Sequence, residues 1–299
     1  MTDEMEIFFE RGVTDGLPVV PPTRERVERM LAGTTRPREA LVAEVPPSFG
    51  RATVEKLAIN AVMAGCRPDY FPVVLAVVEA ACDPAFNATI GRALRLVMIN
   101  LDGTKAGEIS MSTLGHPGRY TYCIGEHEAA SSWEPLHVER GSRPEQSTVT
   151  LFPGEGPFIV NDHSSREASQ LVASLGWSAA GVWNHKSFPL YGHTLWVIGP
   201  EHAATIGSEG WSKHDVKRRL FETVPRPARE LVPGPDGAES GRLKDLAGSD
   251  PDALIPKFPS VKEIMVIVAG GTAGRFSAVV PGWMGGLIGA QPVTRAIAA

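Results

Sequence analysis

The chain has 299 residues, 43% hydrophobic, 21% charged and 7% aromatic. That is the balance of a globular protein able to bury roughly three quarters of its unfolded surface without a metal or disulfide. A net charge of −5, with 29 basic residues scattered among 34 acidic ones, argues against nucleic acid or an anionic membrane as the main partner.

Met1-Thr2-Asp3-Glu4 is acidic and lacks the basic and apolar regions of a signal peptide, and no window reaches the roughly 18 uncharged apolar residues of a membrane span. A cytoplasmic location is therefore expected, with Cys66, Cys82 and Cys123 as reduced thiols, since they form no CxxC pair. Prolines across residues 15–22 predict a rigid extended arm. A short amphipathic helix follows over 23–31. Thr53 is placed to cap a helix running to about Gly65, and a second runs from about Tyr70 to Cys82, with Gly65-Cys66-Arg67-Pro68 as the corner between them. Strands are expected over 96–100, 120–124, 148–152, 158–160, 194–198 and 263–269. They alternate with helices over 165–175, 200–206 and 213–224, the first and last opened by capping boxes at Ser164/Glu167 and Ser212/Asp215. This interleaving predicts an α/β or α+β fold with a mixed sheet, preceded by an N-terminal helical region. The expected division is an arm and helical region over 1–87, a core over 88–224, an exposed Pro/Gly-rich connector over 225–259, and a last strand with a glycine-rich segment over 260–299 that completes the core.

Several strands stop at glycine-containing turns, and in α/β sheets ligands bind outside the carboxyl ends of strands. Gly270 and Gly271 allow close backbone approach, and the planar fork of Arg275 suits a carboxylate or phosphate; the alternative is a plain tight turn. The spacing matches neither GxGxxG nor GxxxxGK[ST], so no nucleotide, and no cofactor of any kind, is named. His202 follows Gly199-Pro200-Glu201 near a helix start, where a neutral imidazole would meet a substrate; it reads equally as a surface histidine. Asn161, Asp162 and His163 fall at one strand-to-helix corner, with Asp162 orienting His163 as a base, or else merely supplying turn chemistry with Asn161.

Residues 120–139 gather Cys123, Glu126, His127, Glu128, His137 and Glu139. Glu126, Glu128, His137 and Glu139 are candidate ligands for a divalent metal, or His137 an acid/base group; the alternative is a charged loop docked by Trp133 and Leu136. Cys66, beside Arg67, and Cys123 are candidate thiol nucleophiles, set against the default of inert buried cysteines.

Residues 15–23 (DGLPVVPPT), 60–66 (NAVMAGC), 133–140 (WEPLHVER) and 199–203 (GPEHA) resemble bacterial proteins associated with the UGSC-type (seleno)protein family. That family is named for a selenocysteine- or cysteine-Gly-Ser-Cys motif, which implies thiol or selenol redox chemistry. No Cys-Gly-Ser-Cys occurs here and Cys66 is followed by Arg67-Pro68, so the family's redox residues carry over to no position. The resemblance implies a metabolic enzyme, or a companion subunit to one that carries the motif.

The resulting expectation is an enzyme acting on a small anionic organic molecule by thiol or acid/base chemistry of redox or lyase type, using Cys66 or Cys123 with His163 or His137. A metal-assisted hydrolase or lyase is one alternative, and a non-catalytic subunit completing a UGSC-type partner is another. A homo-oligomer fits any of these.

Overall fold

In the computed structural model, two four-stranded mixed sheets lie between helices. It describes residues 4–14, 16, 18–86, 94–100, 121–125, 133–154, 157–180, 193–231, 245–270, 274–282 and 291–298, of which 4, 5, 94–100, 121–125, 179 and 180 are described by backbone alone. The class is α+β, with mixed sheets as expected.

The N-terminal part holds α1 (Glu4–Glu10), α2 (Arg24–Leu31), the hairpin β1 (Leu41–Val45) and β2 (Gly50–Thr53), α3 (Val54–Met63) and α4 (Phe71–Ala81). Thr23 and Thr53 each place a hydroxyl on the third amide beyond it, so α2 and α3 start where the sequence puts their caps. Val54, Ala58, Ala61 and Val62 recur at helical spacing, and they bury against Val27, Met30, Phe71 and Leu75. The opposite face of α4 carries Ala76 and Ala80, which pack with Val149, Leu151 and Val293. One helix thus ties the N-terminal part to a sheet.

That sheet runs β12 (Val293–Ala296), β5 (Thr148–Gly154), β3 (Leu94–Asn100), β4 (Thr121–Gly125) in space. The short helix α5 (Leu136–Glu139) precedes β5. The second sheet has the order β10 (Ile264–Val268), β7 (Thr194–Ile198), β11 (Phe276–Pro281), β6 (Phe158–Asn161). Here β10 and β7 are parallel, and β11 runs antiparallel to both of its neighbours. The carboxyl ends of β6, β7 and β10 therefore share one edge with the start of β11.

Side chains alternate across each strand, so Trp196 and Ile198 of β7 face the opposite way from Leu195. Trp196, Ile198, Ile264, Val266, Val268 and Val279 bury against α6 (Ala168–Ala180), α7 (Pro200–Ser208) and α8 (Lys213–Thr223). Leu195, Met265, Ile267 and Val280 instead meet Phe152 of β5 and Leu136 of α5, which sets the two sheets face to face. A backbone bridge from Gly154 to Gly282 joins them at one end.

Two expectations change. Ser164 does not cap α6: the helix begins at Ala168, whose amide is taken by Glu209. Asp162 has claimed the Ser164 and Ser165 amides first, because an aspartate two residues upstream closes a tighter turn than a capping box. The Ser212/Asp215 box forms as expected. The stretch 225–259 is also not simply an exposed connector. Its described ends pair as β8 (Arg226–Pro227) and β9 (Leu254–Ile255), with α9 (Ala228–Leu231) between them, and Ala228, Leu231, Ile255 and Phe258 enter the main core. No helix among the described residues is long and apolar enough to cross a membrane.

Candidate functional site

Asn161, Asp162, His163, His202, Gly270 and Arg275 converge at the carboxyl-end edge of the second sheet. Asn161 ends β6 opposite Phe276, and Ile198 ends β7 opposite Ser277, so register alone brings Asp162, His202 and the segment before β11 together. Gly199 lets this joint close, since a β-carbon there would run into the Phe276 carbonyl. His202, fully buried, lies between the Ser277 hydroxyl (Nδ1, 2.8 Å) and the Asp162 carbonyl (Nε2, 3.1 Å). A carbonyl only accepts, so Nε2 carries the proton. Ser277 Oγ accepts from the Gly199 amide at 3.1 Å and so has its own proton to give to Nδ1. The imidazole is thereby neutral, and burial lowers its pKa in the same sense.

Arg275 is spent in the same way. Its Nε donates to the Asp162 carbonyl (2.9 Å), one terminal nitrogen to Thr205 Oγ1 (3.1 Å) and the other to the Ser165 carbonyl (2.6 Å). The fork expected to take an anion is turned inward as a brace. The Asp162 carboxylate accepts from the amides and hydroxyls of Ser164 and Ser165 at 2.7–3.2 Å. Burial alone would raise its pKa, but these hydrogen bonds outweigh it and hold the group well below the usual carboxylate range. Asp162 therefore fixes the turn and does not orient His163. His163 stands exposed on the rim, edge-on to Phe276 with ring centroids 5.6 Å apart. Asn161 is exposed beside it, and Gly270 adopts φ +108°, which glycine alone tolerates readily. Gly271 lies outside the described residues.

The remaining candidates lie elsewhere. His137 is buried on α5, its Nε2–H donating to the Pro144 carbonyl at 3.1 Å. Glu139 is held by Lys213 (3.1 Å) and Lys217 (2.9 Å) of α8. Neither is turned toward the corner, and among the described residues no group of three or more His, Cys, Asp or Glu could hold a metal. Glu126 and Glu128 lie outside those residues. Cys66 sits in the α3–α4 corner against the N-terminal core, where burial pushes its thiol pKa up. Arg67, expected to lower it, turns to Asp69. Cys123 lies on β4 opposite Val97, and its side chain is not among those described.

A constellation absent from the sequence reading lies at the opposite end of the same sheet. Parallel pairing of Thr194 with Ile264 carries the preceding residues, His193 and Glu263, side by side. His193 Nδ1 lies 3.2 Å from Glu263 Oε2, with side-chain exposures of 18% and 25%. The contact is close but not aligned as a hydrogen bond. Burial first, then the charge of Arg140, lowers the His193 pKa to about 4, although a hydrogen bond with the backbone of Glu263 opposes the shift. Burial raises that of Glu263. Five residues at about 3.3 Å each put this end on the order of 16 Å from the corner. Comparison with protein-family models, curated proteins and solved structures finds no match to this chain.

Proposed function

We propose that the chain is an enzyme that moves a proton on a small organic molecule, with His193 as the proton carrier and Glu263 as its charge partner. The observation that carries this reading is the His193–Glu263 contact, two solvent-reachable titratable groups brought together by strand register. Their pKa values are displaced in the direction of both being neutral, a pattern that clusters at functional sites. A neutral imidazole accepts the substrate proton, and Glu263, in its carboxylate form, compensates the imidazolium that forms. Acid/base chemistry of lyase type suits the pair. A thiol route through Cys66 has less support, since burial disfavours its thiolate.

A second reading keeps the chemistry at the corner, with exposed His163 as carrier, its backbone fixed by the Asp162 turn and by Arg166, which donates to the His163 carbonyl at 2.7 Å. One experiment separates the two: deuterium uptake from D2O into a panel of small keto and hydroxy acids, followed by NMR. His193→Gln is expected to slow exchange about 10²-fold or more while the fold stays intact. Loss in His163→Ala with none in His193→Gln would favour the corner.

A further inference from the structure

We propose that the Arg140 guanidinium, held between the two sheets at the end of α5, anchors a carboxylate beside His193. This rests on the acid/base reading above and names the substrate class that site would take. The geometry begins with how the guanidinium is held. Arg140 closes the C-terminus of α5, and its Nε donates to Thr294 Oγ1 at 2.7 Å while Nη2 donates to the Pro292 carbonyl at 2.6 Å. Thr294 lies opposite Thr150 in the β12–β5 register, their hydroxyls 2.9 Å apart. Thr150 shares a strand face with Phe152, which packs against the second sheet. The guanidinium is thus fixed in orientation at the layer between the sheets.

Among the described residues it has no carboxylate partner. Two of its five N–H groups are used, so both hydrogens on Nη1 and one on Nη2 remain, the edge that a carboxylate meets through two parallel bonds. Arg140 is exposed to solvent, yet burial lowers its pKa and its charge reaches His193. Leu136, one turn before Arg140, packs with Leu195 and Met265, which lie two residues beyond His193 and Glu263, so the end of α5 stands over the entry to β7 and β10. Strand β12 and the end of α5 grip the side chain from one side and leave the terminal nitrogens for an incoming anion.

The charge balance decides which anion. Glu263 lies 3.2 Å from His193, so the site offers one permanent cation beside a carboxyl group. A singly charged carboxylate pairs with Arg140 without excess, whereas a phosphate dianion would meet Glu263 with a surplus negative charge. Binding also alters His193. The groups acting on it are Arg140, which disfavours its protonation, and Glu263. An anion on Arg140 offsets the repulsion, so His193 takes up a solvent proton more readily when the site is filled and becomes a stronger base next to its substrate.

The test is an NMR titration of the imidazole of His193, assigned by its loss in His193→Gln, in the full chain with and without propionate. The expected result is a rise of about half a pH unit or more in the His193 midpoint with propionate, and no rise in Arg140→Gln. Arg140→Lys keeps the charge but loses the fork, and is expected to weaken propionate about tenfold. It also serves if the glutamine variant fails to fold. A propionate response that is absent in the wild type, or equal in all three proteins, overturns the site. A stronger response to inorganic phosphate than to propionate overturns the carboxylate assignment. The acid/base reading depends instead on deuterium exchange in His193→Gln, so either can fail without the other.

Discussion

His193 and His202 are both held neutral, but by different means. His202 is wedged between Ser277 and the Asp162 carbonyl, so its proton is fixed by hydrogen-bond logic. His193 is kept neutral by burial and by Arg140, and one face of it remains reachable. The consequence for stability follows from the sign of the shift. A folded pKa of about 4, below the ordinary 6.5, means the native state binds fewer protons than the unfolded chain between those values. Stability from His193 is present above pH 6.5 and lost as pH falls toward 4. Urea unfolding at pH 7 and pH 5 is therefore expected to show the wild type losing about 2 kcal/mol more than His193→Gln. An equal loss in both proteins would mean that His193 titrates normally. At the other end of the sheet, Asp162→Ala is expected to cost about 2–4 kcal/mol, because four donors lose one acceptor group. Denaturant midpoints check this, and near-zero cost would free Asp162 for the chemistry first read from the sequence.

At the level of elements, register did what side-chain type could not announce. The helices over 23–31, 53–65, 70–82 and 213–224 were legible because caps and apolar spacing act within one turn. Strand β11 was not, because its apolar run follows a glycine turn and its pairing partners lie 79 or more residues away in the chain. Nor was β12, whose Val293-Thr294-Arg295-Ala296 has little alternation of its own and is ordered by β5. The corner of Asp162, His202 and Arg275 was legible as a place but not as a set of roles, since hydrogen-bond satisfaction belongs to the folded chain. His193 and Glu263 carried no signal, because 70 residues separate them and only the parallel β7–β10 pairing makes them neighbours. The tight joint at Gly199 gives an element-scale prediction: Gly199→Ala pushes a methyl into the Phe276 carbonyl and is expected to cost about 2 kcal/mol or more. A thermal melt matching the wild type would mean that β7 and β11 can part there freely.

For the whole molecule, α4 is the element that makes one unit of the N-terminal part and the sheets, with Phe71 and Leu75 in one cluster and Ala76 and Ala80 in the other. All six tryptophans follow residue 132, while α2 to α4 precede it. Thermal unfolding followed by tryptophan fluorescence and by far-ultraviolet circular dichroism is expected to give coincident transitions; an earlier loss of helical signal would mark residues 1–87 as a separate domain. The same architecture sets the two ends of one sheet to different work. The carboxyl ends of the strands close on a knot of mutually satisfied polar groups, and the entry to β7 and β10 keeps a histidine, a carboxyl and an arginine edge available. The ligand-free titration of His193 in wild type and Arg140→Gln tests that division most directly. A midpoint near 4 is expected in the wild type, and a higher one once the Arg140 charge is removed. A midpoint near the ordinary 6.5, unchanged by the substitution, would contradict it.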